Sequence, residues 1–226
     1  SQLSVLAEAL GMKVIFFDVV DKLALGNARR CETLDELLAE AEVVSLHVDG
    51  RPGNAGFFTA EEFGKMRPRS LFLNLCRGIV VDDEALRDAI VSGHIAGAAV
   101  DVFAREPKGK GERFESSLQG LPNVILTPHV GGSTLEAQRD IGRFVSGKLL
   151  DFAFLGATTL SVNLPQVQSQ AAGVQRLLHL HHNVPGVLGR LNAVFGDHNV
   201  NIAGQVLGTR STLGYVVTDV DDAGHP

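Results

Sequence analysis

Cysteine is scarce. Only Cys31 and Cys76 occur in 226 residues, far apart and matching no metal-ligand spacing. The expectation is a reducing, cytoplasmic setting with no metal site. Basic clusters are missing as well, and the net charge is −6. Nucleic acid and anionic membrane surfaces are therefore poor partners. No apolar run approaches the roughly 20 residues that span a bilayer, and no secretory leader is read at the start. What is abundant points elsewhere. Hydrophobic residues make up 45% of the chain, enough for a real core in one or two domains. Twenty-five glycines without low-complexity sequence indicate many tight turns between strands and helices.

Three short apolar runs between Leu71 and Gly132 each end in polar residues. Leu71–Cys76 precedes Arg77-Gly78, Ala98–Phe103 precedes Glu106-Pro107, and Val124–Thr127 precedes Pro128-His129. Runs of this length, bounded by breakers, read as buried parallel strands. Open parallel sheets bind ligands beyond the carboxyl ends of their strands. One Arg, one Glu and one His are thus expected at the same edge of one sheet.

The chain around them alternates strand and helix, which indicates a doubly wound α/β domain. Ser1 to Leu10 reads as a helix stopped by Gly11. Lys13 to Asp18 reads as a buried strand ending in a carboxylate, placed to hydrogen-bond an adenosine ribose; a simple strand-end cap is the alternative. Thr33–Ala41 and Thr59–Met66 read as helices with capping boxes closed by Glu36 and Glu62. Between them Val43–Val48 is a strand with His47 near its end, a position more usual for a packing histidine than for a catalyst. Asp82 or Asp83 caps the next helix, and Gly93 ends it. A long helix follows from Thr134 to about Phe152, with Ile141, Val145, Leu149 and Phe152 on one face. Gly156 to Gly173 reads as an extended polar connection. Beyond it come a strand from Val174 to His181 and a helix from Pro185 to Phe195, with Pro185 in its first turn. A strand opening at Val200, a turn near Gly208 to Thr212 and a strand from Tyr215 to Val220 complete a βαββ order.

These residues resemble a known family. From Ser1 to about Leu164 the chain is similar to the NAD-dependent D-isomer 2-hydroxyacid dehydrogenases, in Leu75–Asp82, Gly97–Phe103, Glu106-Pro107 and Thr127–Thr134. Leu178–Leu188 resembles an ACT regulatory domain. The resemblance implies a Rossmann-like parallel sheet, incomplete at its N-terminus, followed by a truncated α+β, ferredoxin-like ACT domain. The implied boundaries are 1–132 for NAD binding, 133–173 for a crossover helix and linker, and 174–226 for the ACT domain. Carried over residue by residue, Arg77 binds the substrate carboxylate, His129 exchanges the hydroxyl proton, and Glu106 orients His129. Asp18 holds the cofactor ribose. His47, Leu75, Cys76, Arg77, Asp101, His129, Val130, Gly131 and Gly132 complete the cofactor set, with Cys76 read as an inert packed thiol. His181, Asn183 and Asn201 are the implied L-serine site, held between two subunits; the alternative is that Asn183 caps the helix after it and Asn201 serves a turn.

The implied activity is NAD-dependent oxidation of a phosphorylated 2-hydroxyacid at the head of serine biosynthesis, in a homodimer or homotetramer. A glyoxylate or hydroxypyruvate reductase is the alternative within enzymes, and a non-catalytic NAD-binding regulator on the same fold is the alternative outside them. The G-x-G-x-x-G fingerprint of such domains is absent from the sequence. With it missing, the reading is of an internal fragment with little activity alone.

Overall fold

The computed structural model describes residues 2–107, 109, 111–170 and 175–221. Ser1 and Val174, expected to open a helix and a strand, and the connection from 171 to 173 lie outside the described residues. The chain divides into two compact units, Ser1–Thr134 and Leu135–Pro226.

The first unit is α/β and its strands pair in parallel. Helix α1 (Gln2–Ala9) leads to strands β1 (Ile15–Phe16) and β2 (Arg29–Arg30), which form a small sheet of their own. The expected strand over Lys13–Asp18 is thus only two residues long and half-buried. It stops because the Asp18 carboxylate accepts the Val20 N–H at 2.9 Å, a local turn that competes with ladder pairing. Helix α2 (Leu34–Glu40) follows, then β3 (Val43–Leu46), α3 (Ala60–Lys65), β4 (Ser70–Asn74), α4 (Asp83–Val91), β5 (Ile95–Val100) and β6 (Val124–Leu126). Strands β3-β4-β5-β6 form one parallel sheet in that order. Parallel neighbours need long crossovers, so the sequence supplies a helix or loop between each pair.

Capping chemistry sets the helix starts. Thr59 and Glu62 form the full box on α3, and Asp82, not Asp83, caps α4. On α2 only half the expected box forms. Thr33 Oγ1 accepts the Glu36 N–H, but the Glu36 carboxylate turns to the Glu32 N–H and Arg29 instead. The core lies between α3, α4 and the sheet. Phe58, Phe63 and Phe72 pack there at 4.8–5.0 Å between ring centroids, a spacing favourable to edge-on aromatic contact.

The second unit opens with helix α5 (Leu135–Leu155), none of whose residues is buried. Strand β7 (Gln175–His182), helix α6 (Val187–Asp197) and strands β8 (Ile202–Arg210) and β9 (Leu213–Val220) follow. They form an antiparallel sheet in the order β7-β9-β8. Three expectations shift here. Gly186, with φ +83°, is the N-cap of α6, so Pro185 precedes the helix and Asn183 does not cap it. Strand β8 runs through Gly208, and Ser211 and Thr212 make the turn.

Most changed is the stretch after α5. Expected as an extended polar connection, it is packed: Ala157, Thr158, Val167 and Ser169 are buried. The Val167 N–H donates to Thr158 Oγ1 at 2.8 Å, and Tyr215 Oη donates to the Gly156 carbonyl at 2.7 Å. Arg176 binds Asp219 through Nε and Nη2, at 2.6 and 2.8 Å, and the Leu155 carbonyl through Nη1. A polar composition concealed this packing because hydroxyls can be buried once they are hydrogen-bonded.

Candidate active site

The sheet gathers three of the singled-out residues. Strands β4, β5 and β6 are parallel neighbours, so the segments after Asn74, Val100 and Leu126 leave at one edge. Arg77, Glu106 and His129 line a single open cleft of about 320 Å³ there, with Gly50, Gly78, Ile79, Phe103 and Ala104. Gly78 is required: a Cβ on it would fall inside the Phe103 carbonyl. This close approach lays the Arg77 turn against the segment carrying Glu106.

His129 Nδ1 lies 3.0 and 2.9 Å from the two Glu106 carboxylate oxygens. An ionised carboxylate only accepts, so Nδ1 carries the proton and Nε2 is the nitrogen left for another partner. Burial alone would raise the Glu106 pKa. The bonds from His129 and from the Phe103 N–H outweigh it and hold the carboxyl below its ordinary range.

His129 takes a left-handed backbone, φ +53°, uncommon for a residue with a Cβ. The turn is imposed by Asp101, nearly fully buried at 3% exposure. Asp101 Oδ1 accepts Thr127 Oγ1 at 2.6 Å and the Val130 N–H at 2.9 Å, while Oδ2 accepts the Gly131 N–H at 3.0 Å. Those bonds hold the Asp101 pKa below the ordinary range against the effect of burial. Asp101 therefore acts inward. Expected on the nicotinamide wall, it instead spends both oxygens on the loop that carries His129.

The rest of the expected cofactor set does not line this cleft. Leu75 and Val130 are exposed, and Cys76 is half-buried with its Sγ–H donating to Asn74 Oδ1 at 3.1 Å. Gly131 and Gly132 continue the His129 loop. His47 follows β3, its Nε2 3.0 Å from Ser45 Oγ. Asp18 lies beyond the other sheet's strand and pairs with Lys22. Burial would raise its pKa, but Lys22 and the Val20 N–H keep it lowered, so it stands as a charged acceptor. Among the described residues, no cluster of three metal-ligating side chains occurs, and no helix is long and apolar enough to cross a membrane.

In the second unit the three effector residues do not meet within one chain. His181 pairs with Gly214, whereas Asn201 precedes Ile202, the partner of Val220. Those positions on β9 are roughly 20 Å apart at the strand rise. Asn183 donates to the Ser211 carbonyl at 3.2 Å, and Asn201 to Asp221 at 2.6 Å. His181 Nδ1 is buried without a hydrogen-bond partner among the described residues, and its ring stacks on His179 at 5.4 Å.

The sequence reading passed over Asn74, the Gly78 contact and the inward role of Asp101. Only the Arg77-Gly78 pair carried a local signal.

Comparison with known proteins identifies relatives of both units. Residues 1–131 match the family model for the D-isomer specific 2-hydroxyacid dehydrogenase, NAD binding domain. Residues 177–225 match the AHAS small subunit-like ACT domain. Over 98% of its length the chain is 48% identical to D-3-phosphoglycerate dehydrogenase of Escherichia coli K12, and 44% identical to that of Dictyostelium discoideum. It spans about half, 54%, of each of those relatives. Among solved structures, a D-lactate dehydrogenase from Sporolactobacillus superposes with a TM-score of 0.59 at 30% identity, covering 70% of this chain and 50% of that one. The NAD-complexed D-isomer specific 2-hydroxyacid dehydrogenase of Lactobacillus delbrueckii ssp. bulgaricus gives 0.58 at 28%, covering 67% and 49%. With more than half of its residues inside that NAD-binding match, the chain belongs to the D-isomer specific 2-hydroxyacid dehydrogenase family.

Proposed function

We propose that the protein carrying this chain oxidises D-3-phosphoglycerate to 3-phosphohydroxypyruvate with NAD, as its relatives' name indicates. The observation that carries the reading is the His129–Glu106 pair sharing one cleft with Arg77. The Arg77 guanidinium takes the substrate carboxylate as a bidentate partner and fixes the carbon bearing the hydroxyl. His129 Nε2 receives the hydroxyl proton as the carbonyl forms. Glu106, already bound to Nδ1, stabilises the imidazolium that results and keeps the ring in the useful tautomer. NAD supplies the hydride acceptor. Asp18 would hold its ribose. His47, Leu75, Cys76 and the loop from His129 to Gly132 would wall its nicotinamide end, with Asp101 holding that loop from behind.

The C-terminal unit is the proposed sensor for L-serine. Because His181 and Asn183 lie at the opposite end of the sheet from Asn201, the site is completed by a second copy, in a homodimer or homotetramer. The setting is the cytoplasm. The substrate phosphate is inferred from the relatives, since Arg77 is the one cation lining the cleft among the described residues.

The test is NADH production by the full-length protein from D-3-phosphoglycerate, with and without L-serine, alongside a panel of unphosphorylated 2-hydroxyacids. Turnover of glycerate or glycolate but not of the phosphorylated acid would transfer the assignment to a glyoxylate or hydroxypyruvate reductase. Binding of NAD without turnover of any acid would make the protein a regulator.

A further inference from the structure

We propose that Asn74 is the positioning residue for Arg77, setting the aim of the carboxylate clamp through the backbone turn that bears it. The inference rests on the reading of Arg77 given above. Asn74 is the last residue of β4 and is 1% exposed, an unusual place for a carboxamide. Both ends of its carboxamide bond to the turn that follows, at Cys76 and Arg77. Oδ1 accepts the Cys76 N–H at 3.2 Å and the Cys76 Sγ–H at 3.1 Å. Nδ2 donates to the Arg77 carbonyl at 3.3 Å. The Asn74 carbonyl accepts the Asp101 N–H at 3.0 Å, joining this turn to the residue that shapes the His129 loop.

Chemistry explains the choice of residue. The chain must leave the sheet abruptly for Arg77 to reach the cleft, and the turn leaves a donor at Cys76 and an acceptor at Arg77 unpaired. A carboxamide presents one acceptor and one donor about 2 Å apart, and asparagine's short side chain bonds readily to its own following backbone. Aspartate would lack the donor, and glutamine would overreach the turn. The Arg77 guanidinium is tied to the same turn, Nη1 donating to the Cys76 carbonyl at 2.6 Å. Its position is therefore governed by where the backbone places its Cα.

The experiment uses the full-length enzyme and the variants N74A, N74D and R77A. N74A is expected to raise KM for the hydroxyacid about tenfold or more, as misplacement of a substrate-orienting group does. Its kcat pH profile and its NAD affinity by calorimetry should stay unchanged. N74D keeps the acceptor but loses the donor to Arg77, so it should share the KM increase; it decides the matter if N74A does not fold. The double variant N74A/R77A should lose no more kcat/KM than R77A alone. Multiplicative losses in the double variant, or an unchanged KM in N74A and N74D, would overturn the proposal. A wild-type enzyme that turns over no 2-hydroxyacid would instead remove the functional reading beneath it.

Discussion

The two larger sheets of this protein handle their polar residues in opposite ways. In the first unit four strands run parallel, so whatever follows their last residues emerges at one edge. Arg77, Glu106 and His129, spread over 53 positions of sequence, reach one cleft without help from another chain. In the second unit β7 and β8 both pair antiparallel with the central β9, so they run in the same direction and the end of β7 lies at the opposite end of the sheet from the start of β8. His181 and Asn201 accordingly sit at opposite ends. The parallel sheet brings its three residues into one cleft; the antiparallel one leaves His181 and Asn201 at opposite ends.

The sharpest way to break this contrast is at His129. In the full-length enzyme His129→Ala should lower kcat by about a thousandfold, within the range for loss of a general base. A loss under tenfold would show that the cleft is not the catalytic one. Next in size is the buried ion pair of the second unit. Arg176→Ala strands Asp219, 1% exposed, without its bidentate partner. Stability of that unit should fall by about 3–5 kcal/mol in calorimetry, the usual cost of orphaning a buried charge. The Gly78 contact should follow, with Gly78→Ala costing about 1–3 kcal/mol through overpacking against Phe103.

The sharing of the second site has its own signature. H181A and N201A homo-oligomers should each lose the serine response, whereas co-expressed mixed oligomers should recover part of it, because one intact site forms per pair. No recovery would place both residues in a site within one chain, or in none. The smallest effect is acid-dependent. The Glu106 carboxyl is held below its unfolded value of about 4.3. Its contribution to stability is present above that value and disappears as pH falls through the lower folded value. Glu106→Gln should flatten that part of the acid melting curve and lower stability most at the pH values above it, where the contribution is fully present.

Much of this was legible in the residues. Arg77, Glu106 and His129 followed from apolar runs ending in polar groups, since strand length and parallel order decide which edge those groups occupy. Thr59 with Glu62 announced a helix start because capping is local chemistry. The strand over Lys13–Asp18 misled, because an Asp side chain there bonds its own backbone and ends the ladder early. Gly208 looked like a turn but is a strand residue whose missing Cβ admits Val167 and Pro165. The polar stretch after α5 read as an extended connection because partners such as Asp219 and Tyr215 are distant in sequence. Asn74 escaped notice for a related reason: nothing in an apolar strand signals that its one amide will be buried and bonded to the turn that follows.

By itself, then, the sequence determined the alternation of strand and helix, the parallel order and the three cleft residues, all set by short-range patterns of apolarity, capping and chain direction. Only the tertiary structure decided that Asp101 turns inward to bend the His129 loop. The same holds for Asn74 gripping the Arg77 turn, Arg176 binding Asp219 and Asn201 lying far from His181. Each of these depends on hydrogen bonds or pairings between groups whose separation in space is unrelated to their separation along the chain, or on burial that a single polar letter does not reveal.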